Sequence, residues 1–271
     1  MQDDKGQFDT VAFFLRQGFE VVENRFGSKR QRKFTDEKVM ELFEHLNELR
    51  KRLFIALIAV VIGSAIAFAF AQQLIVLLAI PVGGVEKLVA IEVTESLGVF
   101  MRVSLLAGFI LAFPIILWQI IGFLSPGLHP NEKRWLRLFI PFATVLFLGG
   151  VAFNFFIMLP AALPFLTEFL GIKTTPRLSN YIEFVTNFMF WVGMSFELPL
   201  VMFILAKLRV VSAKMLLKGW RYALVIIAVL SALITPTGDP INMGIMMLPL
   251  AALYALSIIL AAFARRGEAA S

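Results

Sequence analysis

The chain has 271 residues, of which 59% are apolar and only 16% charged, and its mean hydropathy is +0.83. A soluble domain carries about 45–50% apolar residues, so this composition excludes one and points to a polytopic membrane protein with short loops. Cysteine is absent, which removes disulfides, thiolate metal sites, iron–sulfur clusters and cysteine nucleophiles, and two histidines argue against a multi-His metal centre.

Residues 1–38 read as an extension with a pattern of its own. Phe8, Val11, Ala12, Leu15, Phe19, Val22 and Phe26 fall at helical spacing, and Lys29, Arg30, Arg32 and Lys33 follow. That fits a helix on an anionic membrane surface, and equally an extension that touches nothing specific. The segment is charged throughout and lacks the apolar core of a cleavable signal peptide.

Val39, Leu42, Phe43, Leu46, Leu49 and Leu53 then recur at helical spacing, so an amphipathic helix runs into the first span. Glu41, Glu44 and Glu48 share its polar face, consistent with a solvated face whose early acids suit the helix dipole. Arg50 lies on the apolar side, where a guanidinium needs a specific acceptor or must snorkel.

Apolar runs predict spans at 53–71, 103–124, 138–159, 184–206, 222–234 and 241–263. The fifth is too short for a full crossing, so it forms a tight hairpin with the sixth and leaves a locally indented surface. Segments 25–52, 125–137, 207–221 and 264–271 carry 19 Lys and Arg, against 4 in 72–102, 160–183 and 235–240. The first set is expected to be cytoplasmic, with both termini inside. The net charge of +6 reports these loops rather than nucleic-acid binding. The domain reading is a 1–38 extension, a 39–263 six-helix membrane domain and a 264–271 tail.

Three further constellations stand out. The loop running from Phe123 through Ser125-Pro126-Gly127-Leu128 to Glu132 puts an acid on an otherwise basic face. Glu132 is there either to complement the helix dipole or, with Glu48, to capture a cationic peptide by pairing with arginines. Glu197, in Phe196-Glu197-Leu198-Pro199, is an acid inside a span. It is either a proton or ligand site or a carboxyl satisfied by Ser or Asn of neighbouring helices. Thr235-Pro236-Thr237-Gly238-Asp239-Pro240 is a rigid turn in which Asp239 is suited to capping the next helix. Catalytic templates such as G-x-S-x-G, H-E-x-x-H and the P-loop are missing, which argues against an enzyme.

In this order the segments resemble TatC, the multispanning subunit of the twin-arginine protein translocase. The resemblance is carried by His45-Leu46-Asn47-Glu48-Leu49-Arg50-Lys51-Arg52, Pro81, Phe123 with Ser125-Pro126-Gly127-Leu128 and Glu132, Phe196-Glu197-Leu198-Pro199, and the 235–240 turn. It covers residues 39–263. It implies an all-α fold of six transmembrane helices with a concave membrane-facing surface, in the cytoplasmic membrane. The implied role is a receptor for folded cargo bearing twin-arginine signal peptides, acting with small single-span subunits of the TatA and TatB type, as a homo-oligomer, on the proton gradient and without cofactor or metal. By the same resemblance Glu48 and Glu132 read the signal arginines, Arg50 and Phe123 support that site, Glu197 lines the concave face where partners dock, and Pro81 and Asp239 shape outer turns. The chain departs from the family pattern at Met243, where members often carry Gln. A small proton- or ion-coupled transporter using Glu197 and Asp239 is the rival reading, though the repeated halves of such transporters are not detected.

Overall fold

The computed structural model describes residues 43–124, 130–167, 175–235 and 239–266, the side chains of 124, 130–138 and 264–266 excepted. The amphipathic stripe at 8–26, Glu41, the Ser125-Pro126-Gly127-Leu128 motif, the Glu132 side chain and Pro236-Thr237-Gly238 lie outside the described residues. The chain divides into two units, 1–53 and 54–271.

Apolar segments in lipid must close their backbone hydrogen bonds internally, and apart from one isolated bridge between Val89 and Arg177 the described secondary structure is helical. In order, α1 is Phe43–Phe68, α2 Ala71–Ala79, α3 Glu95–Leu124, α4 Pro130–Phe153, α5 Leu159–Thr167, α6 Leu178–Ser195, α7 Leu198–Lys207, α8 Ala213–Lys218, α9 Trp220–Ile234 and α10 Pro240–Arg266. Five stretches are long and apolar enough to cross a membrane: Phe43–Phe68, Glu95–Phe123, Phe139–Thr167, Leu178–Lys207 and Pro240–Phe263. The 15 residues of α9 extend about 22 Å at 1.5 Å each, short of a core of about 30 Å. The all-α architecture and its short fifth span agree with the sequence reading.

Span ends differ from that reading for physical reasons. Helix α3 starts at Glu95 rather than near 103 and α6 at Leu178 rather than near 184, because their first turns carry charged and polar residues that hydropathy discounts. Between α4 and α5 the chain makes a π turn, Asn154–Met158, and continues to Thr167, so the third span is longer than 138–159. The segment between the first two spans is also more structured than a loop. It contains α2, a 3₁₀ turn at Ile80–Val82 holding Pro81, and a reversal through Gly83 and Gly84 at φ 97° and 107°, values that side-chain-bearing residues avoid.

Many large apolar side chains point outward, among them Phe156, Leu233, Ile241 and Leu248, each more than 70% exposed. In water such a surface would aggregate; in a bilayer it is the lipid-facing surface. Lipid gives little hydrophobic drive for one helix to find another, so close packing of small residues matters. Within the second unit, α1 and α3 meet at Gly63 and Gly108, where a Cβ on Gly63 would lie 2.5 Å from the Gly108 carbonyl oxygen. Helix α6 packs on α3 and α4, and α7 and α9 on α10. One apolar cluster joins Met158, Ile182, Val192, Ile227, Met246 and Leu250. A second stacks Phe147 on Phe113 with centroids 3.8 Å apart.

Candidate functional site

In the first unit α1 presents the His45-to-Arg52 motif. Glu48 is half-buried, and its Oε1 accepts from Arg52 Nε at 2.9 Å and Nη2 at 2.6 Å, one helical turn along. His45 Nδ1 stands 3.9 Å from the other oxygen. Phe43, Leu46 and Leu49 are exposed, as is Arg50, which makes no ion pair among the described residues.

In the second unit, α1 from residue 60 onward joins α3 and α6 around a cavity of about 1100 Å³. Its walls are apolar, with Phe68, Leu105, Phe109 and Phe190 prominent, while Arg102 and Asn187 supply polarity. Arg102 donates from Nη2 to Glu183 Oε1 at 2.9 Å and, more weakly, to Asn187 Oδ1 at 3.4 Å.

Glu197 sits where the fourth span breaks. Pro199 has no N–H to offer the Ser195 carbonyl and its ring would clash there. Helix α6 therefore ends at Ser195, a turn holds Phe196 and Glu197, and α7 starts at Leu198. Glu197 is 5% exposed, and neither carboxyl oxygen has a hydrogen-bond partner among the described residues. The Ser or Asn partner considered from sequence is thus not in place. Asn154, in the π turn, and Ser231 and Thr235, at the end of α9, are also buried and have no side-chain hydrogen-bond partner among the described residues. Glu197 is not among the residues that line the large cavity.

Phe123 lies at the far end of α3 from Glu95, about 42 Å away at 1.5 Å per residue, half-buried. Asp239 caps α10: Oδ2 accepts from the Asn242 backbone N–H and Oδ1 from its Nδ2, both at 2.9 Å. Pro81 lines a smaller cavity of about 570 Å³ with Pro160, Pro164 and Pro176. Phe123, Glu197, Asp239 and Pro81 therefore stand on four different elements. No group of three or more His, Asp or Glu suited to a metal occurs among the described residues.

The family model of the Sec-independent protein translocase protein TatC matches residues 44–249. The chain belongs to the TatC family. It is 42% identical over 236 residues to the TatC protein of Carboxydothermus hydrogenoformans, covering 86% of this chain and 97% of that one. To the TatC protein of Deinococcus radiodurans it is 41% identical over 228 residues, covering 81% and 84%. A crystal structure of the twin arginine translocase receptor TatC superposes at TM-score 0.66 with 37% identity, covering 81% of this chain and 99% of that one. As a TatC family member the chain is a multi-pass membrane subunit of a protein translocase, a transport component of the Tat system.

Several organising residues of this TatC chain escape a sequence reading. Glu95 is one: Oε2 accepts from Ile91 N at 3.0 Å, Glu92 N at 3.3 Å and Arg177 Nε at 3.0 Å, while Oε1 accepts from Ser179 N at 2.6 Å. Arg177 also reaches Glu92 Oε1 at 2.8 Å, and this bond first, then the one to Glu95, raises its pKa above the usual value. With Val89 N bonding Pro176 O and Leu178 N bonding Val89 O, this ties the segment before α3 to the start of α6. Asn242, beside Met243, is a second such residue, buried and also 3.5 Å from the Ala161 carbonyl. Arg52 is a third, and its i+4 spacing from Glu48 was the available signal.

Proposed function

We propose that this chain is the receptor and core subunit of a twin-arginine translocase in the cytoplasmic membrane. It binds twin-arginine signal peptides and exports folded proteins on the proton gradient, with TatA- and TatB-type single-span subunits and further copies of itself. Membership of the TatC family carries the reading. On this reading both termini and the 125–137 and 207–221 segments are cytoplasmic, and Glu48 and Glu132 accept the signal arginines with Arg50 and Phe123 in support. The pairing of Glu48 with Arg52 supports the first assignment, because it is a half-exposed carboxylate in a geometry that accepts a guanidinium through two N–H groups. Glu197 is the docking point for a partner's transmembrane helix, which its buried oxygens, unpartnered among the described residues, support. The transporter alternative finds less support, since Asp239 is engaged as a helix cap.

The test is binding of a synthetic twin-arginine signal peptide to the full chain in nanodiscs. Glu48→Gln and Glu132→Gln keep shape and remove charge, and each should weaken binding by about 1.5–3 kcal/mol, the worth of a charged hydrogen bond. Equal affinity of the wild type and the double variant would refute the recognition site.

A further inference from the structure

The Glu48 carboxylate already holds a guanidinium. Both Arg52 donors converge on Oε1, whereas His45 Nδ1, at 3.9 Å from Oε2, is beyond hydrogen-bond reach. Among the described residues one oxygen is therefore engaged twice, while the other accepts no hydrogen bond from a side chain and can take a newcomer's. The side chains of Glu48 and Arg52 are 32% and 26% exposed, so a ligand from solution has access to both. Their attraction has the modest strength of a solvent-facing i,i+4 pair. This differs from the Glu95–Arg177 pair, in which the carboxylate side chain is 1% exposed and locked by backbone donors.

We infer that Arg52 is a resident guanidinium that an incoming arginine replaces on Glu48, so that recognition is an exchange of one arginine for another and Arg52 sets its strength. The inference rests on the reading that Glu48 accepts a signal arginine. A ligand first approaches the open Oε2, then takes over Oε1 as Arg52 swings away on its flexible stem to extend its head into water. The affinity gained is the worth of the ligand's charged pair less the modest worth of the resident one. Net charge at the carboxylate stays balanced throughout, and a bound signal is released when Arg52 returns. A carboxylate without a resident partner would hold its ligand more tightly and let it go more slowly.

Three variants of the full chain, reconstituted in phosphatidylethanolamine and phosphatidylglycerol nanodiscs, test this with a fluorescent synthetic peptide carrying two adjacent arginines. Arg52→Gln should tighten binding by about 1.4- to fivefold, the range of a solvent-facing ion pair converted to affinity. Arg52→Lys, which keeps the charge and loses the two-donor hold, should fall between wild type and Arg52→Gln. In a Glu48→Gln background the Arg52→Gln substitution should have no further effect. If Arg52→Gln leaves binding unchanged or weakens it while Glu48→Gln abolishes it, the exchange is wrong and Glu48 remains a recognition residue. If Arg52→Lys equals wild type, or the Arg52→Gln effect persists without the Glu48 charge, the residue acts by long-range repulsion and the exchange is again overturned. Full binding by Glu48→Gln would overturn the underlying reading, and the exchange with it.

Discussion

Replacing Glu197 by Met should make the isolated subunit more stable. The carboxyl is 5% exposed and both oxygens lack a partner among the described residues, while Met keeps an unbranched side chain of similar reach and deletes both oxygens. A buried polar group left unpaired costs about 1–3 kcal/mol. The reference state in a bilayer, inserted helices that have come apart, also keeps residue 197 largely from water, which cancels part of this. The expected gain is then about 1–2 kcal/mol, or a rise in the unfolding midpoint of about 2–8 °C at roughly 2–4 °C per kcal/mol. Glu197→Gln exchanges one unpaired group for another and should stay near wild type. Thermal unfolding in nanodiscs, followed by near-UV circular dichroism, measures both. A Met variant that melts below wild type would show that Glu197 has a native donor and would refute the reasoning. Export of a twin-arginine reporter adds the functional reading: with docking, Gln retains much of the activity and Met loses it, whereas a proton relay makes Gln as inactive as Met.

Glu95→Gln or Arg177→Met should loosen the segments at 89–95 and 175–179, seen as faster amide exchange there than in the spans; unchanged protection would count against the ion-pair strap. Gly108→Leu should force α1 and α3 apart and destabilise the chain by about 1–3 kcal/mol, the usual cost of overpacking, as a lowered unfolding midpoint. Asp239→Ala should cost about 0.5–2 kcal/mol for the lost cap in denaturant unfolding, and Asp239→Asn, which keeps an acceptor, should recover most of it. Cysteine placed at Lys87 should react with an impermeant thiol reagent only from the outer side, and labelling from the cytoplasm would reverse the proposed topology.

The spans were legible because lipid imposes one rule on every backbone group, so long apolar runs such as 241–263 announce themselves. Asp239 was legible too, since an acid before Pro240 in a turn has few roles, and it caps α10 through Asn242. Less visible were arrangements made by partners distant in sequence. Nothing near Glu95 announces Arg177 and Ser179, which lie 82 and 84 residues away, and hydropathy discounts the charged turns on which they sit. The π turn at Asn154–Met158 has no periodicity signal, because a single extra residue barely disturbs an all-round apolar helix. Arg50 and Arg52 show a subtler limit: the apolar stripe draws attention to Arg50, but the i,i+4 register gives the carboxylate to Arg52.

Glu95 and Glu197 are the buried acidic residues among those described, at 6% and 5% exposure, and the contrast between them separates architecture from function. Glu95 meets four donors, two of them from the far side of an 82-to-84-residue separation, so its burial closes a structure and its removal should open one. Glu197 meets none among the described residues, at a helix break that Pro199 enforces and beside a cluster that otherwise packs as apolar side chains. Selection for the stability of this chain alone would favour an apolar residue at 197, since an unmatched carboxyl in a low-dielectric interior only costs free energy. A carboxyl at that place becomes favourable when a donor arrives from a second membrane helix, where a polar pair is one of the few attractions lipid does not weaken. The docking reading therefore expects the stability gained by Glu197→Met to be accompanied by loss of the small subunits on co-purification, a trade that an architectural residue such as Glu95 would not show.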